Sequence, residues 1–364
     1  MRNSYLVYLL LAGLMMTLLM VACESEAEGE TEPSETDFTD LLTNQVNEII
    51  IPTMVTYQEK MSDFASAVNS FASSTDEDNL ASVRTAYQEA YLAYQATAVH
   101  NYFATANQNL IRTTNLFPID TDLLANLIEN ESYNFRTSAQ ERANGFPVLD
   151  FMLYGSADGL AYFQENAKRL PFLQALVDDM KAKSDALVEG WSGSLKTNFV
   201  ENGGTDLGSS ISVQLNESLI YYEDHVRENK VGIPIGRLGP NDSPIAADAT
   251  KIEAYYQSQS EGNESFTLAL LKAAVEEMED LYLGRTTSGT DGAGYDDLVT
   301  TRQPSISTDI KAQYQAIFDE IQNRTSVSGD DALYEKVQEL ITLYKSDLFP
   351  ILNVQDADGA NDGD

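Results

Sequence analysis

The sequence predicts an all-α fold, two helical-bundle domains packed together, and three observations carry that expectation. Apolar residues recur every three or four positions through most of the 364-residue chain. Glycine- and proline-rich breaks separate those periodic runs. No alternating strand pattern of convincing length competes with them.

Taken in order, Tyr57, Met61, Phe64, Val68 and Phe71 define one apolar helical face, and Val83, Tyr87, Ala90, Tyr91, Tyr94 and Ala98 a second. A long face follows at Leu173, Leu176, Met180, Leu187, Trp191, Leu195 and Phe199, with Pro171 near its first turn. The stretch "ENGGTDLGSS" then breaks the pattern, placing a boundary between an N-terminal bundle at 41–202 and a C-terminal bundle at 203–352. Beyond it, helical faces run through Ile211 to Val226, Leu268 to Tyr282, Ile310 to Ile321 and Leu333 to Leu348. Ser138 with Glu141 has capping-box spacing, and Gly155 and Gly284 stand where helices end. The plain reading of the aromatic residues on these faces is core packing.

Both ends read differently. Arg2, an apolar run from Tyr5 to Ala22 and the ending "LMVAC" form a secretory signal over residues 1–22. The cysteine at the cut marks a bacterial lipoprotein signal with Cys23 as the acylated residue; the alternative, a transmembrane anchor, is disfavoured by the short run. Cys23 is the only cysteine, so no intramolecular disulfide is available and the core must hold by burial. Residues 23–40 read as an acidic, disordered tether, and 353–364 as an acidic, disordered tail.

The formal net charge is −35, from 57 acidic against 22 basic residues. No basic patch appears, which excludes nucleic acid as a partner. Such a surface keeps a protein soluble or attracts cations. Acidic residues directly after a lipidated cysteine also resemble the surface-export signal of Bacteroidetes lipoproteins.

Three segments do not suit a plain bundle: "NLFPIDTD" at 115–122, "NKVGIPIGRLGPNDSP" at 229–244 and "GRTTSGTDGAGYDDL" at 284–298. Long loops in a helical domain point to function. In this order, "FPID", "GFPVLDFMLYG", "KVGIPIGRLGP" and "GAGYDDL" resemble the imelysin-like family of bacterial envelope proteins, from roughly Asp40 to Leu352. The resemblance implies an all-helical fold of two bundle-like domains, a functional site where they meet, a peptidase as namesake and, through some members, a link to iron uptake.

The family motif is Gly-x-His-x-x-Glu on a helix, whose His and Glu could share a metal or a proton. Here Gly145 matches the glycine, Pro147 takes the histidine position and Asp150 the glutamate position. Proline offers neither a lone pair nor a titratable proton. Pro147 does suit the first turn of a helix, whose free N–H groups favour an anion. Asp150 reads equally as a site carboxylate or as a structural hydrogen-bond acceptor. The candidate interdomain site comprises Asp120, Gly145, Phe146, Pro147, Asp150, Tyr154, Lys230, Arg237, Asp296 and Asp297. Arg237 is a candidate partner for Asp120 or Asp150. Asp296 and Asp297 read as helix caps before cation ligands. Of the two histidines, His100 reads as a structural, hydrogen-bonded residue and His225 as exposed on a charged helix end.

The expected function is that of a non-enzymatic, lipid-anchored binding protein of the cell envelope, linked to iron or haem uptake. It would sit on the outer membrane through the lipid on Cys23 and face either the periplasm or the surface. Envelope uptake-complex proteins and a small ligand or cation are the expected partners. The second reading is a metal-dependent peptidase holding iron, calcium or another ion through Asp120, Asp150 and His225. No nucleophile elbow, phosphate loop or dinucleotide fingerprint supports other chemistry.

Overall fold

Apolar residues at helical spacing do form the long helices. A computed structural model describes residues 38–100, 102, 110–238 and 243–357. Its principal helices are α1 (Ile51–Ser73), α2 (Glu77–Val99), α3 (Gly145–Tyr154), α4 (Arg169–Gly190), α5 (Ser210–Tyr221), α6 (Tyr255–Glu261), α7 (Ser265–Leu283), α8 (Pro304–Gln322) and α9 (Ala332–Leu343). The described part of the chain is almost wholly helical. Its one strand pairing is an antiparallel contact of Arg237–Leu238 with Ser243–Pro244.

Helix α1 packs along α2 and α4, while α7 from the C-terminal half lies along α2. One continuous apolar core therefore spans the position at which the glycine-rich break divides the sequence, and the described residues form one compact unit. Tyrosines supply much of that core: Tyr57, Tyr87, Tyr91 and Tyr94 are fully buried. Between α2 and α7, His100 Nε2 meets Glu277 Oε1 at 2.5 Å, and Thr53 of α1 donates to the same oxygen at 3.2 Å. His100 Nδ1 pairs with the Tyr102 hydroxyl at 2.8 Å, so both ring nitrogens are engaged and this histidine is structural.

The segment 229–244 departs from the loop expected there. Helix α5 continues through wide π-type turns at Tyr222–Gly232 into Ile233–Ile235, and only then bends into the strand pair. The same device occurs at Gln45–Ile50 and at Tyr344–Leu348, and each of these three wide segments is followed by a turn starting at an X-Pro pair, Ile51-Pro52, Ile233-Pro234 or Phe349-Pro350, whereas a fourth, Trp191–Leu195, has no proline after it. Proline lacks an N–H and crowds the carbonyl one turn back; widening that turn lets the helix pass through it. A proline in these runs thus marks a widened helix rather than a loop.

Smaller differences have local causes. Ser138–Ala143 is a 3₁₀ turn entered from Thr137 without a side-chain cap, so the expected capping box is absent. Phe38 packs into the core and helix starts at Thr39, so the folded part begins slightly before the expected end of the tether at residue 40. At the other end, Asn216 accepts from the Ala357 N–H at 2.8 Å and donates to the Gln355 carbonyl at 3.0 Å, which holds residues 353–357 against α5. The signal segment, Cys23, most of the tether and residues 358–364 lie outside the described residues. Among the described residues no helix is long and apolar enough to cross a membrane.

The loop 284–294 is held rather than free. The Asn44 side-chain amide donates to the carbonyls of Gly284 at 2.8 Å and Ala293 at 3.0 Å, clamping both ends of the loop. Gly284 ends α7 at φ +65°, and its Cα lies against Gly294, where a side chain on either would strike backbone. Replacing Asn44 by Ala should therefore cost about 2 kcal/mol, from two lost hydrogen bonds to partly buried carbonyls. Denaturant titration measures the loss, and hydrogen exchange should show faster opening at 284–294.

Candidate functional site

Helix α3 begins where the chain comes closest to another backbone. Gly145 has φ +78° and lies against the Thr114 carbonyl, so any Cβ would collide with backbone there. Phe146 then stacks on Tyr91 of α2, with ring centroids 4.3 Å apart and planes 5° from parallel. Pro147 falls in the first turn, where backbone N–H groups have no partner within the helix and its missing one costs nothing.

One turn on, Asp150 is buried and reaches across to α6. Its Oδ2 accepts from the Tyr256 N–H at 2.7 Å and its Oδ1 from the Gln257 N–H at 3.0 Å. Asp150 thus caps the start of a helix more than a hundred residues away. Burial pushes its pKa up to about 7, against the two N–H bonds and the nearby Tyr87 hydroxyl, which pull it down. That hydroxyl stops short of full hydrogen-bond geometry.

Pro147 and Asp150 line a cavity of about 110 Å³ together with Phe117, Pro118 and Ile119 from one loop and residues 250, 252–256 from the approach to α6. Glu253 is the other carboxylate in this lining and is 3% exposed. Lys230 forms a buried ion pair with it. Asn115 donates to Glu253 Oε1 at 2.5 Å, Gln95 donates at 3.2 Å, and Lys230 also donates to Gln95 Oε1 at 2.7 Å. The network continues through the Tyr91 hydroxyl, which donates to Asn115 at 2.6 Å. Burial lowers the Lys230 pKa, with Glu253 opposing the shift.

Other candidate residues serve elsewhere. Asp120 is exposed and caps Thr121–Asn130 by accepting from the Leu123 N–H at 2.8 Å. Tyr154 carries Arg84 over its ring at 4.9 Å, and its hydroxyl accepts from Gln88 at 3.3 Å. Arg237 partners neither Asp120 nor Asp150; it pairs with Asp331 at 2.9 Å and lies over Tyr334 at 4.7 Å. Asp297 accepts from the Gly294 N–H at 3.2 Å and caps Tyr295–Arg302, whereas Asp296 pairs with Lys311 of α8 at 2.7 Å. His225 is half-buried, not exposed: its Nδ1 meets Asn229 at 3.1 Å, and burial followed by the Lys230 charge lowers its pKa to about 4.

A metal does not fit this arrangement. Pro147 has no lone pair to give and Glu253 is matched by Lys230, which leaves Asp150, already accepting one backbone N–H on each oxygen, as the single carboxylate on offer. Among the described residues, no group of three or more His, Cys, Asp or Glu is placed to hold an ion, so Asp120, Asp150 and His225 are not a ligand set.

A family profile described as Imelysin matches residues 50–344. The chain belongs to the imelysin family. Two solved structures share the imelysin fold with it. One is provisionally assigned as an iron-regulated protein A precursor from Parabacteroides distasonis ATCC 8503, with TM-score 0.69 and 15% identity over 89% of this chain and 96% of that one. The other is an imelysin-like protein from Psychrobacter arcticum 273-4, with TM-score 0.66 and 15% identity over 88% of this chain and 98% of that one. No curated protein matches. Within this imelysin scaffold, Glu253, Gln95 and Asn115 escaped the sequence reading. The available signal was an acid set among Ile252, Ala254, Tyr255 and Tyr256.

Two outcomes follow from the geometry. Gly145→Ala should cost about 3 kcal/mol, since it combines a left-handed backbone with a backbone collision; equilibrium unfolding measures it. A carboxyl raised from 3.8 to about 7 on folding holds its proton more tightly in the native state. Its contribution to stability is therefore intact below about pH 4 and declines, by up to about 4 kcal/mol, as pH rises to about 7. The stability difference between wild type and Asp150→Asn should shift by that amount across the range, since the other titrating groups are common to both.

Proposed function

We propose that this imelysin-family chain is a non-enzymatic, lipid-anchored binding protein of the bacterial envelope that takes a small ligand in the cavity beside Pro147 and Asp150. The observation that carries the reading is the fate of the family motif. Its histidine position is a proline, and its acid position is committed to capping α6. What remains is a concave, partly aromatic cavity with a few convergent polar groups, the usual form of a ligand site.

The link to iron uptake rests on the family resemblance and on the printed description of one structural neighbour as iron-regulated. In this reading the chain serves an uptake complex on the outer membrane without holding iron in this cavity. The lipoprotein signal ending at Cys23 supports the anchor.

Three measurements bear on the proposal. Cys23→Ser should move the chain from the membrane fraction to the soluble fraction. A broad peptide library should stay intact with zinc, iron or calcium added; cleavage that a chelator stops and Asp150→Ala abolishes would restore the peptidase reading. A fragment screen by thermal shift should find compounds that stabilise the wild type and no longer stabilise Ile119→Trp, which fills the cavity mouth.

A further inference from the structure

We propose that the head group this cavity accepts is a small organic cation, an ammonium or a guanidinium, with the Asp150 carboxylate as its counter-charge. The inference rests on the binding reading above and deepens it by assigning the ligand's chemistry.

The charge balance of the lining decides the sign. Two of the residues that line the cavity carry carboxylates, and Lys230 neutralises only one of them, Glu253. Asp150 has no lysine or arginine among its partners; two backbone N–H groups hold it, and Tyr87 stands nearby. A carboxylate offers about four lone-pair directions, so about two stay open after the backbone bonds are made. No basic side chain lines the cavity, so an anion would meet the Asp150 carboxylate with nothing to offset it. An ionised carboxylate in a low-dielectric site is stabilised strongly by a cation brought beside it.

The walls decide the kind of cation. Phe117, Tyr255 and Tyr256 present aromatic rings, and Pro147 and Ile252 present apolar surface. A bare metal ion needs about six oxygen ligands, which this lining lacks. An organic cation needs one charge partner and ring faces, and gains from both. Size sets the limit: about 110 Å³ is less than the ~150 Å³ that encloses benzene, so a head group of a few heavy atoms fits. A tail would leave past Pro118 and Thr250, which are exposed at the rim. The chain's net charge of −35 favours the approach of cations over anions.

The test is a charge series of near-isosteres, read by calorimetry on the detergent-solubilised full chain at pH 8 and low salt. Methylguanidinium and butylammonium are compared with N-methylurea, butanol and butyrate. The cations should bind at least tenfold more tightly than their neutral isosteres, and butyrate should not bind. Asp150→Asn should erase the preference for charge. Thr250→Lys, on the exposed rim and away from the α6 cap, should weaken the cations severalfold and leave the neutral compounds unchanged; it stands as the control if Asp150→Asn fails to fold. Neutral compounds binding as well as the cations would overturn the cation assignment and leave the cavity a ligand site. No binding by any member at millimolar concentration would also overturn it, and the Ile119→Trp fragment screen then shows separately whether the cavity binds anything.

Discussion

The carboxylate of Asp150 accepts two backbone N–H groups from a helix that begins more than a hundred residues later, and much of the cavity's geometry depends on that contact. It fixes α6 against α3, which places Tyr255 and Tyr256 opposite Pro147 and leaves a hollow between them. The contact needs α3 to start in the right place. Gly145 permits this by letting the helix start pass against the Thr114 carbonyl, and Phe146 locks it through its stacking on Tyr91. A capping interaction is ordinarily a local affair between neighbours in sequence. Here it acts as a tertiary fastener.

Two buried polar networks join helices from either side of the glycine-rich break. One runs from Lys230 through Glu253, Gln95 and Asn115 to Tyr91. The other runs from Thr53 and Glu277 through His100 and Tyr102 to Gln214, whose Oε1 accepts from the Tyr295 hydroxyl at 2.5 Å. Charges taken out of water cost more than their mutual attraction returns unless further hydrogen bonds satisfy them. The Lys230–Glu253 pair meets that condition through Gln95 and Asn115, and an apolar core of the same volume would not demand one particular helix register. Tyr295 belongs to the "GAGYDDL" segment, so that signature serves packing as well as loop closure.

The family motif separates into two parts in this chain. Gly145 keeps an architectural role, which depends on backbone conformation and close approach. The histidine position is filled by Pro147, which has neither a lone pair nor a titratable proton. The acid position then retains a carboxylate with a different task. A short segment can thus keep its part in the fold while the side chains at its motif positions differ.

By itself the sequence determined the helical class, most helix spans, the loss of the motif histidine, and the loops at 115–122 and 284–298, whose last residues the structure gives to the helices that follow. These are local matters: 3.6-residue periodicity, the φ preferences of glycine and proline, and side-chain identity act within a few residues. The sequence placed Asp297 correctly as a cap for the same reason. Only the tertiary structure decided that Asp150 caps α6, that Glu253 and Lys230 pair beneath the cavity, that Arg237 turns to Asp331, and that the run through Pro234 stays helical in a widened turn. Each depends on which surfaces meet across long stretches of chain, or on how far a turn can widen. The periodicity of one segment carries no information about its partner.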